Sequence, residues 1–145
     1  MEILEYKIEE LHYGMTDELS ARVTNESIKQ FSALSGDFAP LHTDEEFARK
    51  KGFKAPLAHG MLLGTYVSAL IGNKLPGRWG IMQSFKMDFR NPLIPTQNIK
   101  IIGKVTNVSI AVQQVTIEIE IIGELGLQIA KGEVKSIVSA SQTQS

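Results

Sequence analysis

Two hydrophobic periodicities divide the chain. Ile28, Phe31 and Leu34 recur at helical spacing, and Thr24 and Gly36 suit an N-cap and a terminator, so residues 24–35 are expected to form a helix. A short helix is expected over 44–51. Thr43 and Glu46 have capping-box spacing, Arg49, Lys50 and Lys51 suit the C-terminal dipole, and Gly52 stops it. Residues 60–72 are apolar nearly all round, the pattern of a buried helix. From Ile81 onward the period becomes two. Phe85, Met87 and Phe89 alternate with Ser84, Lys86 and Asp88, and Val115, Ile117, Ile119 and Ile121 alternate with Thr116, Glu118 and Glu120. Residues 99–106 and 127–138 read as two more strands, and Leu4–His12 as an additional edge strand. Asn91-Pro92, Asn107 and Gly123 to Gly126 supply the turns. A helical first half and a strand-rich second half predict an α+β fold, with a twisted antiparallel sheet wrapped around the buried helix.

Within that helix Gly60, Gly64, Ser68 and Gly72 form a stripe of small residues. Glycine inside a helix costs about 1 kcal/mol against alanine, so Gly64 calls for a reason. Either a strand or partner backbone comes close, or the stripe is a groove for a ligand chain. Gly60 falls near the helix start, where a backbone N–H lacks an intrahelical acceptor and faces outward at the positive end of the dipole. Such a donor suits a developing oxyanion.

Composition narrows the function. The chain has 145 residues, the size of one domain, and folding at that size buries about 68–70% of the unfolded surface. There are no cysteines, which excludes disulfides, thiolate chemistry and cysteine zinc sites. A net charge of −1 with scattered basic residues argues against nucleic acid as a partner. The longest apolar stretch, Met61 to Ile71, is too short to span a bilayer, and the acidic N-terminus lacks a signal-peptide pattern, so a cytoplasmic protein away from membranes is expected. The polar tail from Ser139 to Ser145 is expected to fray.

Between the first two helices lies Ser35-Gly36-Asp37-Phe38-Ala39-Pro40-Leu41-His42. Pro40 fixes its own φ and pushes Ala39 toward extended backbone, which predicts a stiff connector rather than helix. A carboxylate at its start and an imidazole at its end can exchange protons near neutral pH. An apolar wall from Phe38 and Leu41 would raise the carboxyl pKa enough for it to act as an acid. The plainer reading is an Asx-turn at Asp37 and a structural histidine. His59, before Gly60, is read as a structural hydrogen-bonding residue.

At these residues the chain resembles the MaoC-like (R)-specific enoyl-CoA hydratases, the hydratase 2 family. Their pattern runs aromatic, aliphatic, small, Gly-Asp-x-Asn-Pro-aliphatic-His, then small. Here Phe31, Leu34, Ser35, Gly36, Asp37, Phe38, Pro40, Leu41, His42 and Ala48 fit it, while Ala39 stands where the family has asparagine. The resemblance continues through Ala58-His59-Gly60-Met61-Leu62-Leu63 and Leu75-Pro76-Gly77, and covers most of residues 24–95. It implies a hot-dog fold, a homodimer or higher homo-oligomer with its pocket near the interface, and reversible hydration of trans-2-enoyl thioesters to (R)-3-hydroxyacyl thioesters. Asp37 and His42 match the catalytic dyad, Gly60 the donor to the thioester carbonyl, and Ser68 a pocket residue close to the dyad. No metal or redox cofactor is implied; the substrate is an acyl-CoA or acyl-carrier-protein thioester. Lys86, Arg90 and Arg78 are candidates for the carrier's phosphates. Alanine at position 39 removes a side chain able to support the loop. A thioesterase shares the architecture, although the Asp-x-x-Pro-x-His spacing argues against it. Ala39 is the best support for a third reading, a non-catalytic acyl-binding subunit.

Overall fold

The computed structural model describes residues 1–139. Five strands, β1 (Thr16–Val23), β2 (Gly80–Phe89), β3 (Gln97–Ser109), β4 (Gln114–Ile122) and β5 (Gln128–Val138), form one sheet in the order β1-β3-β4-β5-β2, with every neighbouring pair antiparallel. Helices α1 (Asn25–Ser35), α2 (Pro40–Thr43), α3 (Glu45–Lys50) and α4 (Gly60–Asn73) all fall between β1 and β2 in the chain. Helix α4 packs against the sheet and presses Leu63, Val67, Leu70 and Ile71 into a core shared with Ile101, Ile117, Ile119 and Val134. Val67, Leu70, Ile101, Ile117 and Ile119 are all 0% exposed. This is the hot-dog arrangement, a sheet curled around a central helix. Among the described residues no helix is long and apolar enough to cross a membrane.

Local chemistry explains the element ends. The Thr24 hydroxyl accepts the Ser27 N–H and the Ser27 hydroxyl accepts the Thr24 N–H, each at 3.1 Å, closing a capping box on α1. Gly36 ends that helix with a left-handed φ of 79°. Four expectations need correction. Asp44, not Thr43, caps α3; its carboxylate accepts the Phe47 N–H at 3.1 Å, and Thr43 instead turns its hydroxyl back to the carbonyls of Phe38 and Ala39. The connector containing Pro40 is not wholly extended. Proline needs no donor in the first turn of a helix, so it opens α2. Asn107 lies in β3 beside a register shift rather than in a turn; the chain reverses at Ile110–Gln113. The N-terminal edge strand is β1, not Leu4–His12, so the chain does not divide into a helical and a strand half. Ile8–Glu10 is a 3-10 turn that buries Ile8, and the Leu4 N–H donates to the Asn73 carbonyl at 2.8 Å, fastening the chain start to the end of α4. The expected frayed tail lies, apart from Ser139, outside the described residues.

The small-residue stripe has an explanation at one end. A Cβ on Gly60 would stand 2.6 Å from the Phe89 ring of β2, so the ring sits on the bare backbone at the start of α4. A Cβ on Gly64 would meet the Phe85 ring at 3.5 Å, an ordinary contact. Gly64→Ala is therefore expected to stabilise the fold by about 0.5–1 kcal/mol through helix propensity. The urea midpoint reads this directly; a lowered midpoint would mean that another surface packs against Gly64.

Candidate active site

Ser35 orders the approach to Asp37. Its hydroxyl donates to the Phe31 carbonyl at 2.7 Å and accepts the Asp37 N–H at 3.1 Å. One carboxylate oxygen of Asp37 then accepts the Ala39 N–H at 3.0 Å. That is an Asx-turn, so the plain structural reading of Asp37 is realised, and it fixes the carboxylate relative to α2 without using the second oxygen. The Ala39 carbonyl accepts the His42 N–H at 2.9 Å and the Thr43 hydroxyl at 3.2 Å. The loop is thus held by its own backbone and by Thr43, with no side chain needed at position 39.

His42 is placed by the turn of α2 and by the strap that follows α3. Its Nδ1 lies 2.8 Å from the Leu57 carbonyl oxygen. A carbonyl only accepts, so Nδ1 carries the proton and Nε2 of the neutral ring keeps its lone pair. Leu57 is in turn bonded to α2, its N–H donating to the Leu41 carbonyl at 3.1 Å, and the Ala58 N–H donates to the Leu93 carbonyl at 2.8 Å. His59 follows as the N-cap residue of α4. A carboxylate oxygen of Asp37 and ring nitrogens of His42 and His59 lie within 4.8 Å of one another.

Asp37, His42, His59, Gly60, Phe89 and Arg90 line one cavity of about 470 Å³. Gly60 opens α4, where the first N–H groups have no intrahelical acceptor. The structure therefore brings together three of the four predicted site residues. Ser68 is not among them: it lies two turns further along α4, exposed and outside this cavity. Of the candidate phosphate contacts, Arg90 lines the cavity, Lys86 faces a neighbouring hollow with Glu118 and Glu133, and Arg78 pairs with Glu5 at 3.4 Å. The apolar wall expected around Asp37 is also missing, since Asp37 is exposed and Phe38 is 64% exposed. His42 also borders a second cavity of about 420 Å³ between α1 and α2, lined by Ile28, Lys29, Phe38 and Pro56.

His59 is the residue whose surroundings sequence reasoning missed. It is 2% exposed and its ring stacks on that of His42, with centroids 3.9 Å apart and planes 24° from parallel. Its Nε2 lies 3.2 Å from the Asp37 main-chain carbonyl and 3.3 Å from the Ser32 hydroxyl. These three neighbours lie on one segment, residues 32–42, well before His59 in the chain. The available signal was a histidine placed directly before a glycine that opens a buried helix. Burial lowers the His59 pKa below its ordinary 6.5; the Asp37 carbonyl and charge act the other way, and His42 adds to the lowering. Among the described residues, Asp37, His42 and His59 form the group close enough together to hold a metal ion. The carbonyls of Leu57 and Asp37 engage His42 Nδ1 and His59 Nε2, which fixes the tautomer of each neutral ring.

The hot-dog fold thus carries a carboxylate and an imidazole that face one cavity at a helix N-terminus. The chain belongs to the MaoC-like family: residues 10–124 match the MaoC like domain. It is 40% identical over 83 residues to an (R)-specific enoyl-CoA hydratase of Aeromonas caviae, a match covering 57% of this chain and 62% of that protein. In sequence the match thus spans less than two thirds of that curated relative. The structure of the (R)-hydratase from A. caviae involved in PHA biosynthesis superposes with a TM-score of 0.84 at 31% identity, covering 89% of this chain and 98% of that one. An unliganded R-hydratase of Pseudomonas aeruginosa superposes at 0.88 with 27% identity, covering 96% and 89%.

A folded-state pKa below the unfolded value gives a defined acid response. Between the two values the unfolded chain binds a proton at His59 that the folded chain does not, so stability falls as pH drops below 6.5 and is recovered above it. Unfolding midpoints measured from pH 7.5 down to 5 should fall more steeply for the native chain than for His59→Phe. Equal slopes would show that His59 titrates normally in the fold.

Proposed function

We propose that the protein is an (R)-specific hydro-lyase that interconverts trans-2-enoyl and (R)-3-hydroxyacyl thioesters. The observation that carries this reading is the convergence of Asp37 and His42 on one cavity beside the N-terminus of α4. The similarity to proteins named (R)-specific enoyl-CoA hydratase and R-hydratase points the same way.

One water molecule donates its hydrogens to the free oxygen of Asp37 and to Nε2 of His42. Its oxygen adds to Cβ of the enoyl group as one of these bases takes a proton. A proton passes to Cα from the same face, which balances the addition of water and returns the dyad to its starting state. The Gly60 N–H meets the thioester carbonyl oxygen as negative charge develops there. Positioned acid–base groups contribute about 10²–10⁴-fold and an oxyanion donor about 10²–10³-fold. No metal or redox cofactor takes part in these steps.

Arg90 at the cavity gives the carrier's phosphates a cationic contact, which coenzyme A and an acyl carrier protein would share. Met61, Ile81, Met82 and Phe89 leave an apolar border along α4 and β2, with Ile81 67% exposed. A homodimer covering that border would adjoin the cavity and shield Asp37, completing the wall that the single chain lacks. Ser68, exposed on the same helix, would then reach the substrate only through the assembled pocket.

Asp37→Asn and His42→Ala are each expected to lower crotonyl-CoA hydration at least about a hundredfold in a folded protein. Unchanged rates in both would remove the dyad. Release of free thiol from saturated acyl-CoA without hydration would favour a thioesterase. Tight binding without turnover, even in Ala39→Asn, would favour an acyl-binding subunit. Matched coenzyme A and carrier-protein thioesters decide the carrier.

A further inference from the structure

His59 occupies a position that a passive core histidine does not require. One face of its ring lies against His42, and the Phe31 ring, tilted by 52°, lies 4.7 Å away. Its Nε2 reaches the main chain of Asp37, the other member of the dyad. The Asp37 carbonyl accepts only, so Nε2 is the protonated nitrogen and the Ser32 hydroxyl shares that hydrogen as a second acceptor. Nδ1 is buried with no hydrogen-bond partner. A charged ring would place an unsatisfied N–H there, which costs more than an idle lone pair, and would set a cation face to face with His42. The hydrogen-bond pattern therefore fixes one tautomer of an uncharged ring.

We propose that His59 is a positioning residue for the dyad, its Nε2–H holding the Asp37 backbone while its ring is the platform that keeps His42 Nδ1 on the Leu57 carbonyl. The proposal rests on the hydratase reading for its kinetic consequences but not for its geometry. The flat ring limits rotation of His42, and rotation would break the bond that keeps Nε2 bare. The bond to Asp37 acts on the loop that carries the carboxylate. One side chain thus sets the spacing of both partners, at a site where a misplacement of about 1 Å can cost about a hundredfold in rate. Because His59 is buried and its Nε2–H is committed to the Asp37 backbone, its loss should act on kcat more than on KM.

Three variants separate the two contacts. His59→Gln keeps a donor near Nε2 and loses the ring; His59→Phe keeps the ring and loses the donor; His59→Ala loses both. Gln and Phe are each expected to lower kcat for enoyl-CoA hydration about tenfold, and Ala about a hundredfold, with KM within about twofold. Nitrogen-15 imidazole spectra of His42 at neutral pH supply a second readout independent of activity. The native chain should show the Nδ1–H tautomer alone, Phe should retain it, and Gln and Ala should show a mixture. Gln and Phe variants that keep kcat within about twofold and leave the His42 tautomer unchanged would overturn the proposal, and this holds even where Ala fails to fold. A rise in KM that accounts for the whole loss would overturn it too. If the native chain does not hydrate enoyl thioesters, the function reading fails, while the tautomer spectra still decide the role of His59.

Discussion

Burial of α4 fixes where chemistry can occur in this protein. Val67 and Leu70 are wholly enclosed and Leu63 and Ile71 nearly so, all against the strands of the curled sheet. Each buried aliphatic side chain contributes about 1.5–3 kcal/mol, so the helix cannot turn about its axis without losing several at once. Its first residues therefore have a set position and direction. His59 and Gly60 sit at that end, and the loops carrying Asp37 and His42 are bonded to the strap that leads into it. The core thereby orients a backbone donor, a carboxylate–imidazole pair and a stacked ring toward the same cavity.

Backbone groups and side chains share in holding Asp37 and His42. Asp37 is engaged through its N–H, its carbonyl and one carboxylate oxygen, and each bond goes to a different residue. His42 is fixed through its N–H, its Nδ1 and a ring face. This explains how the loop keeps its shape with alanine at position 39, where the family has asparagine. The residue acts through its N–H and carbonyl, and the Thr43 hydroxyl donates to the carbonyls of Phe38 and Ala39.

Much of this was legible in the sequence, for identifiable reasons. α1 follows from its caps and periodicity, α4 from its apolar run, and β2 and β4 from the alternation of apolar and polar residues. β1 was not legible, because only Leu19, Ala21 and Val23 mark its inner face, and Asp17 and Glu18 weaken the pattern. The helical turn at Pro40 was hidden because proline forbids a helix interior and yet suits a helix start. Asp37, His42 and Gly60 were found through a motif whose spacing survives in one short segment and one helix start. Ser68 shared the small-residue stripe but not the cavity, since a stripe along a helix extends beyond any one site. His59 was passed over because its partners, Ser32, Asp37 and His42, meet it only in three dimensions.

In the proposed reaction a single water molecule, held between Asp37 and His42, adds across the double bond from one side. The most direct measurement is hydration of crotonyl-CoA in deuterium oxide, followed by stereochemical analysis of the product at both carbons. The expected outcome is the (R)-3-hydroxy product with deuterium and hydroxyl delivered to the same face. An (S) product, addition to opposite faces, or a mixture of diastereomers at Cα would contradict it.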